Sequence, residues 1–309
     1  MTGIAGKTTT RVSLPLPPDY PRDMFLAFHR RDAEEVAEKT VRGGIAKGIV
    51  FQGAPACLTI TFSKNTVRGV LHCDNASHAD PAQLETSLSR MLGLDQPVTV
   101  FEAAYREHPA IGPLVCKRAG LRVSQTATPF EAICWAVIGQ LVSVGAAISI
   151  RRRFIRAVNI RHSSGLYCFP DAKQVLALEE DALRSAGLSR TKASAIRNVG
   201  KAVVDGNLPL DSWPDALRDG TLTTQTIREA LLAVRGIGPW TVSYVLLRGL
   251  GSLDGSLHGD VAVRRNLARL LGQDEKPTEK QTEEWLASFT PWRALVAAHI
   301  WAMQATDGY

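Results

Sequence analysis

One stretch constrains this chain more than any other: Leu231-Leu232-Ala233-Val234-Arg235-Gly236-Ile237-Gly238-Pro239-Trp240-Thr241-Val242. Apolar residues at helical spacing end at Val234. Gly236-Ile237-Gly238 then makes a tight turn, and Pro239 suits the first position of a new helix, where its missing N–H is no loss. Glycine tolerates the backbone angles of such a turn and lets main chain approach a neighbour closely. Amides at the second helix's N-terminus, with the helix dipole, bind anions such as phosphate oxygens. Outward carbonyls at the end of the first helix, those of Leu232, Val234 and Ile237, suit a monovalent cation between turn and phosphate. A plain helix–turn–helix connection with convenient glycines uses the same pattern.

A second feature follows. Gly249 to Gly259 is a glycine-rich loop that ends in Asp260, ahead of the helical Val261-Ala262-Val263-Arg264-Arg265. An aspartate at a helix start is commonly a cap and nothing more. In a dry cleft, however, the same amides keep a carboxylate ionised, and an ionised carboxylate stabilises a developing positive charge. Charge adds direction. Lysines and arginines balance aspartates and glutamates over residues 1–110, so the whole net charge of +6 lies in residues 111–309. That asymmetry favours a polyanionic partner for the last two thirds. Together, turn and charge describe a helix-hairpin-helix grip on one DNA strand that reads no sequence. Beside such a grip, Asp260 suits a cationic sugar transition state.

The 309 residues suggest two domains at about 150 residues each. Met1–Arg11 reads as a flexible tail and 12–98 as an α/β domain, with a seam near Asp95-Gln96-Pro97. In that domain Asp23–Lys39 and Pro81–Leu92 look helical. Cys57–Phe62 and Val67–Cys73 look like strands, the first by strict alternation. From 99 to 309 nearly everything reads helical. Thr128-Pro129-Phe130-Glu131 is a capping box opening a helix with the apolar stripe Phe130, Ile133, Cys134, Val137 and Leu141. Further helices are expected over Asp171–Glu180, Glu180–Ala186, Lys192–Asp205, Thr226–Val234, Pro239–Leu250, Val261–Leu271, Thr278–Phe289 and Pro291–Met303. No apolar run is long enough for a membrane span, and the N-terminus lacks a secretory h-region. Five scattered cysteines without a Cys-x-x-Cys pair give no support to a disulfide framework, a zinc site or an iron–sulfur cluster. They fit reduced thiols in a cytoplasmic protein.

These residues carry a resemblance. Phe130-Glu131-Ala132-Ile133, Ile138 to Val144, Cys168-Phe169-Pro170, and Ala186-Gly187-Leu188 with Arg190, Lys192 and Ala193 are its first parts. Gly236 to Tyr244, Asp260, Pro291-Trp292-Arg293 and His299-Ile300-Trp301 complete it. The chain resembles the helix-hairpin-helix superfamily of DNA glycosylases, more narrowly its 3-methyladenine glycosylase II (AlkA-type) branch. The resemblance runs from about residue 12 to 303 and is strongest from 111 onward.

The resemblance implies an α+β fold: a TATA-binding-protein-like α/β domain, then an all-α core of two subdomains. One would be 129–252, with the helix-hairpin-helix at 226–248; the other would join 99–128 to 253–309. It implies a base-excision repair enzyme that flips alkylated purines from duplex DNA and hydrolyses the N-glycosidic bond. Asp260 would be catalytic. Trp240, Tyr244, Trp301 and Phe28 would form the base pocket, since a cationic base stacks well on aromatic faces. Trp240 and Tyr244, four apart, share one helix face. Leu141 would fill the gap left by the flipped base. Gly236, Ile237, Gly238, Gln140 and Lys192 would contact DNA, with Arg190, Arg197, Lys201 and Arg264 as further basic candidates. Arg293 and His299 read as structural.

Trp240 stands where bifunctional relatives carry a Schiff-base lysine, so a monofunctional hydrolase is expected. Two departures from the family pattern are Gly259, where a second acid would precede Asp260, and a polar insertion over Gly272–Thr282. Asp254 is a nearby alternative carboxylate. No cofactor is required, apart from a structural Na⁺ or K⁺ at the hairpin. Double-stranded DNA with alkylated bases is the expected partner, with no membrane. A monomer associated with the nucleoid is expected. The competing readings are a non-catalytic DNA-binding module, an 8-oxoguanine glycosylase/lyase, and a glycosylase fused to an alkyl-transfer domain. Asp260, the missing lysine and the absence of clustered cysteines in the first hundred residues speak against them in turn.

Overall fold

A computed structural model of the chain describes residues 8–74 and 80–304. The N-terminal part holds β1 (Thr8–Pro15), α1 (Arg22–His29), β2 (Glu38–Val41), β3 (Gly44–Phe51), β4 (Ala54–Phe62), β5 (Thr66–Cys73) and α2 (Pro81–Leu92). The strands form one antiparallel sheet in the order β1-β5-β4-β3-β2. Phe25 of α1 and Leu84, Leu88 and Met91 of α2 share one buried cluster with Leu14, Ile45, Leu58, Ile60 and Leu71 of the sheet.

Two expectations need correcting here. The tail ends earlier than residue 11: Thr8–Arg11 already pair with Val70–Cys73, and Met1–Lys7 lie outside the described residues. The helix expected over Asp23–Lys39 stops at His29. Asp32 then accepts the amides of Glu34 (3.1 Å) and Val36 (3.3 Å), and Glu35 turns with φ 49°, so the chain reverses and enters β2 as a strand.

Residues 93–97 join α2 to the helices α3 (Val98–Tyr105), α4 (Gly112–Lys117), α5 (Pro129–Gly139), α6 (Val144–Val158), α7 (Ala172–Leu176), α8 (Glu180–Ser185), α9 (Arg190–Val204), α10 (Trp213–Arg218), α11 (Thr224–Leu232), α12 (Pro239–Arg248), α13 (Val261–Leu270), α14 (Glu279–Ala287) and α15 (Arg293–Trp301).

The helices pack around two further buried clusters. One gathers α5, α6, α9, α11 and α12, with Ile133, Val137, Phe154, Ile196, Leu231 and Val245 at its centre. The other gathers α3, α4, α13, α14 and α15, with Phe101, Val115, Val263, Leu286 and Leu295.

Buried charges join the sheet to the helices. Lys47 Nζ of β3 meets Glu38 (2.5 Å) and Glu131 (2.8 Å), and Arg151 of α6 meets the same two carboxylates (2.6 and 2.9 Å). Burial alone would raise the Glu38 carboxyl, but Arg151 and Lys47 hold it well below the usual carboxylate range. This changes the capping box expected at Thr128. Thr128 does accept the Glu131 amide (3.1 Å), but Glu131 takes the Ala127 amide (3.2 Å) and spends its other oxygen on Lys47 and Arg151. Gly48 lets the 160–169 segment lie against β3, because a Cβ there would fall 2.0 Å from the Tyr167 carbonyl.

Candidate active site

The site grows from the N-terminus of α13. Asp260 caps it, and its Oδ1 accepts the amides of Ala262 (2.9 Å) and Val263 (3.0 Å). The indole Nε1 of Trp301, at the end of α15, donates to the same oxygen (3.1 Å), and that of Trp240, in the first turn of α12, donates to Oδ2 (3.1 Å). Four donors therefore converge on one carboxylate. Two come from its own helix and two from aromatic side chains on other elements. Asp260 is thus more than a cap.

Tyr244 stands one turn beyond Trp240, with ring centroids 5.5 Å apart. Trp301 is buried, and Arg248 spans the space between it (5.8 Å) and Phe28 (4.4 Å). The four aromatic candidates are therefore linked: Trp240 and Trp301 through Asp260, and Trp301 and Phe28 through Arg248. The spacing Trp240, Tyr244, Arg248 repeats every four residues on α12, a signal that could have found Arg248. Arg31 and Trp135, also against this aromatic group, carry no comparable signal: Arg31 lies 4.4 Å from the Phe28 centroid and 5.3 Å from that of Trp135. Burial lowers Arg248 to about 10.

Leu141 follows α5 in a left-handed backbone conformation (φ 55°) and has a relative exposure of 105%. It thus leaves the apolar stripe of which Phe130, Ile133, Cys134 and Val137 are buried members. Gln140 beside it donates to Thr241 Oγ1 (3.0 Å), tying this loop to α12. Lys192 donates to the Ile138 carbonyl (2.9 Å), and burial lowers its pKa.

The two hairpin glycines have different tasks. Gly236 (φ 99°) packs on α9, where a Cβ would meet that of Ala195 at 2.5 Å. Gly238 caps α12 with no side-chain acceptor, and the space above it is open. Ile237 is buried between them. The Val234 carbonyl accepts the Ile237 amide (3.1 Å), while those of Leu232 and Ile237 accept no backbone amide among the described residues. Carbonyls with lone pairs to spare are the donor set a monovalent cation needs.

Other candidates fall outside this group. Asp254 is held by Arg293 (2.8 and 2.9 Å). His299 is buried, and burial lowers it to about 4. Arg264 donates to the Pro277 carbonyl (2.8 Å), Arg197 to that of Leu178, and Arg190 and Lys201 are exposed. No helix among the described residues is long and apolar enough to cross a membrane.

The family model described as "HhH-GPD superfamily base excision DNA repair protein" matches residues 134–291. DNA-3-methyladenine glycosylase 2 of Escherichia coli (strain K12) is 27% identical over 246 residues, which cover 78% of this chain and 80% of that protein. DNA-3-methyladenine glycosylase of Bacillus subtilis (strain 168) is 26% identical over 211 residues, covering 67% and 68%. The solved 3-methyladenine DNA-glycosylase from Archaeoglobus fulgidus has a similar fold, with a TM-score of 0.78 at 20% identity over 94% of this chain and 97% of that one. The chain belongs to the HhH-GPD superfamily of base excision DNA repair proteins.

Proposed function

We propose that this chain is a monofunctional DNA glycosylase of the 3-methyladenine type, which removes alkylated purines from duplex DNA by hydrolysis. The observation that carries the reading is Asp260, a carboxylate held by the indoles of two pocket tryptophans. The names of the Escherichia coli and Bacillus subtilis relatives support it.

The damaged nucleotide leaves the stack, because its glycosidic bond is out of reach inside it. Leu141, exposed on its own loop, fills the vacated space. The base enters among Trp240, Tyr244, Trp301 and Phe28. The C1′–N bond breaks, the base departs with the electron pair, and Asp260 stabilises the positive sugar. Water then forms the new bond at C1′ and gives up its proton. Trp240 offers no amine for a Schiff base, so the product is an abasic site in an unbroken strand.

The hairpin amides at Gly238 hold a backbone phosphate, with Gln140 and Lys192 nearby. A Na⁺ or K⁺ on the Leu232, Val234 and Ile237 carbonyls would add positive charge there. The division into 12–98 and 99–309, the TATA-binding-protein-like reading of the sheet, and the two helical subdomains belong to the same proposal. So do a monomeric state and association with the nucleoid.

The test is release of free bases from methylated duplex DNA. Methylated purines should appear in solution with no strand break until the abasic sites are cleaved separately. DNA binding without release would sink the enzyme reading, and strand breaks formed together with release would sink the monofunctional one.

A further inference from the structure

The polar segment 272–282, which runs from the end of α13 into α14, meets Gly259, the residue ahead of Asp260. The segment folds back along the first turn of α13. Arg264, one turn past Asp260, donates through Nε to the Pro277 carbonyl (2.8 Å), and its Nη1 meets Glu279 Oε1 at 3.5 Å. The other oxygen of Glu279 faces Gly259: a Cβ built there would lie 3.9 Å from Oε2. Consecutive Cα atoms are about 3.8 Å apart, so Glu279 Oε2 stands within roughly 9 Å of the Asp260 Cα.

Glu279 brings its charge to an open corner. Its side chain is 64% exposed and its ion pair with Arg264 is long. Val261, beside Asp260, is 60% exposed, so solvent and DNA reach this end of α13. A carboxylate on the order of 10 Å from a developing cation acts on it without contact, by about twofold to fourfold in rate through a largely aqueous path. The phosphates of bound DNA feel the same charge as a repulsion. An acid in the first turn of a helix also suits that helix's dipole, which is the purely structural use of Glu279 in α14.

We propose that Glu279, held beside Gly259 by the 272–282 segment, is a second carboxylate of the reaction, which stabilises the sugar cation through space while weakening the hold on DNA. The inference rests on the glycosylase reading above. Asp260 acts at the centre, inside its ring of donors. Glu279 acts from the rim, where its charge speeds bond breaking and works against the phosphates.

The experiment measures single-turnover base release from methylated duplex DNA, and the Kd for that duplex, in wild type, Glu279→Gln and the double variant Glu279→Gln with Gly259→Asp. Glu279→Gln keeps an acceptor for Arg264 and removes only the charge. Release should slow about twofold to fourfold while DNA binds about twofold tighter, and the slowing should shrink as salt rises from roughly 0.05 M to 0.2 M. Gly259 lies outside the left-handed region, so Gly259→Asp is tolerated and puts a carboxylate in the same corner; it should bring release back to the wild-type rate. Unchanged release in Glu279→Gln, or a slowing that Gly259→Asp fails to restore, would overturn the proposal and leave Glu279 to the helix dipole. If Glu279→Gln does not fold, as judged by thermal unfolding, Gly259→Asp alone carries the test. It should speed release about twofold and weaken DNA binding, and no change in either would overturn the proposal. Wild type that releases no methylpurine would instead overturn the glycosylase reading beneath it.

Discussion

The N-termini of α12 and α13 use their amides in opposite directions. At α12 the cap is Gly238, which has no side chain to accept them, and the space above it is open. At α13 the cap is Asp260, whose own Oδ1 takes the Ala262 and Val263 amides. The electrostatics are the same, a positive helix end in search of an anion. One end is left open; the other holds an anion that belongs to the protein. Trp240 bridges them, since it lies in the first turn of α12 and donates to Asp260. On the proposed reading, a phosphate on one end would thereby be tied to the position of the carboxylate on the other.

The largest effect is expected at the closed end. Asp260→Asn keeps a capping oxygen but loses the charge, so base release should fall roughly a hundredfold to a thousandfold while DNA affinity persists. Equal release by both proteins would leave Asp260 a cap. Next, Gly238→Asp closes the open end. DNA affinity should fall about tenfold as the amides are taken and phosphate is repelled, with thermal stability unchanged or up by about 1 kcal/mol. Unchanged affinity in a binding titration would show that the hairpin amides hold no phosphate.

Mild acid should weaken the frame behind the closed end. His299, on the same helix as Trp301, is lowered by burial to about 4. The unfolded chain therefore binds the proton first, and stability present above the ordinary histidine value is lost as pH falls from about 6.5 toward 4. The loss should be on the order of 1 kcal/mol by pH 5.5, read from urea unfolding, and His299→Phe should flatten it. The smallest effect belongs to Asp80, which caps α2 by accepting the Ala82 amide (2.9 Å) and is none of the site candidates. Asp80→Ala should cost about 1 kcal/mol in stability and leave base release intact.

Some of this was legible in the order of residues. The hairpin follows from Gly236, Gly238 and Pro239, because turn chemistry is local. Trp240 and Tyr244 share a face because the helix repeat puts residues four apart together. β3 was not legible: Gly44–Phe51 is buried on both faces, with Lys47 inside it, so it shows no alternation. Leu141 illustrates a subtler failure. Its spacing placed it on the apolar stripe of α5, yet the helix stops at Gly139 and the side chain points into solvent.

By itself the sequence determined the local devices: the hairpin, the capping aspartate, and the helices between them. Each depends on residues within a turn or two of one another, where propensity and hydrogen bonding act directly. The tertiary structure alone decided what those devices face. It brought Trp301 to Asp260 across 41 positions, set Gly236 against Ala195, and left Arg31 with open donors beside Phe28. Such meetings depend on how apolar faces pack, and no short stretch of sequence records that.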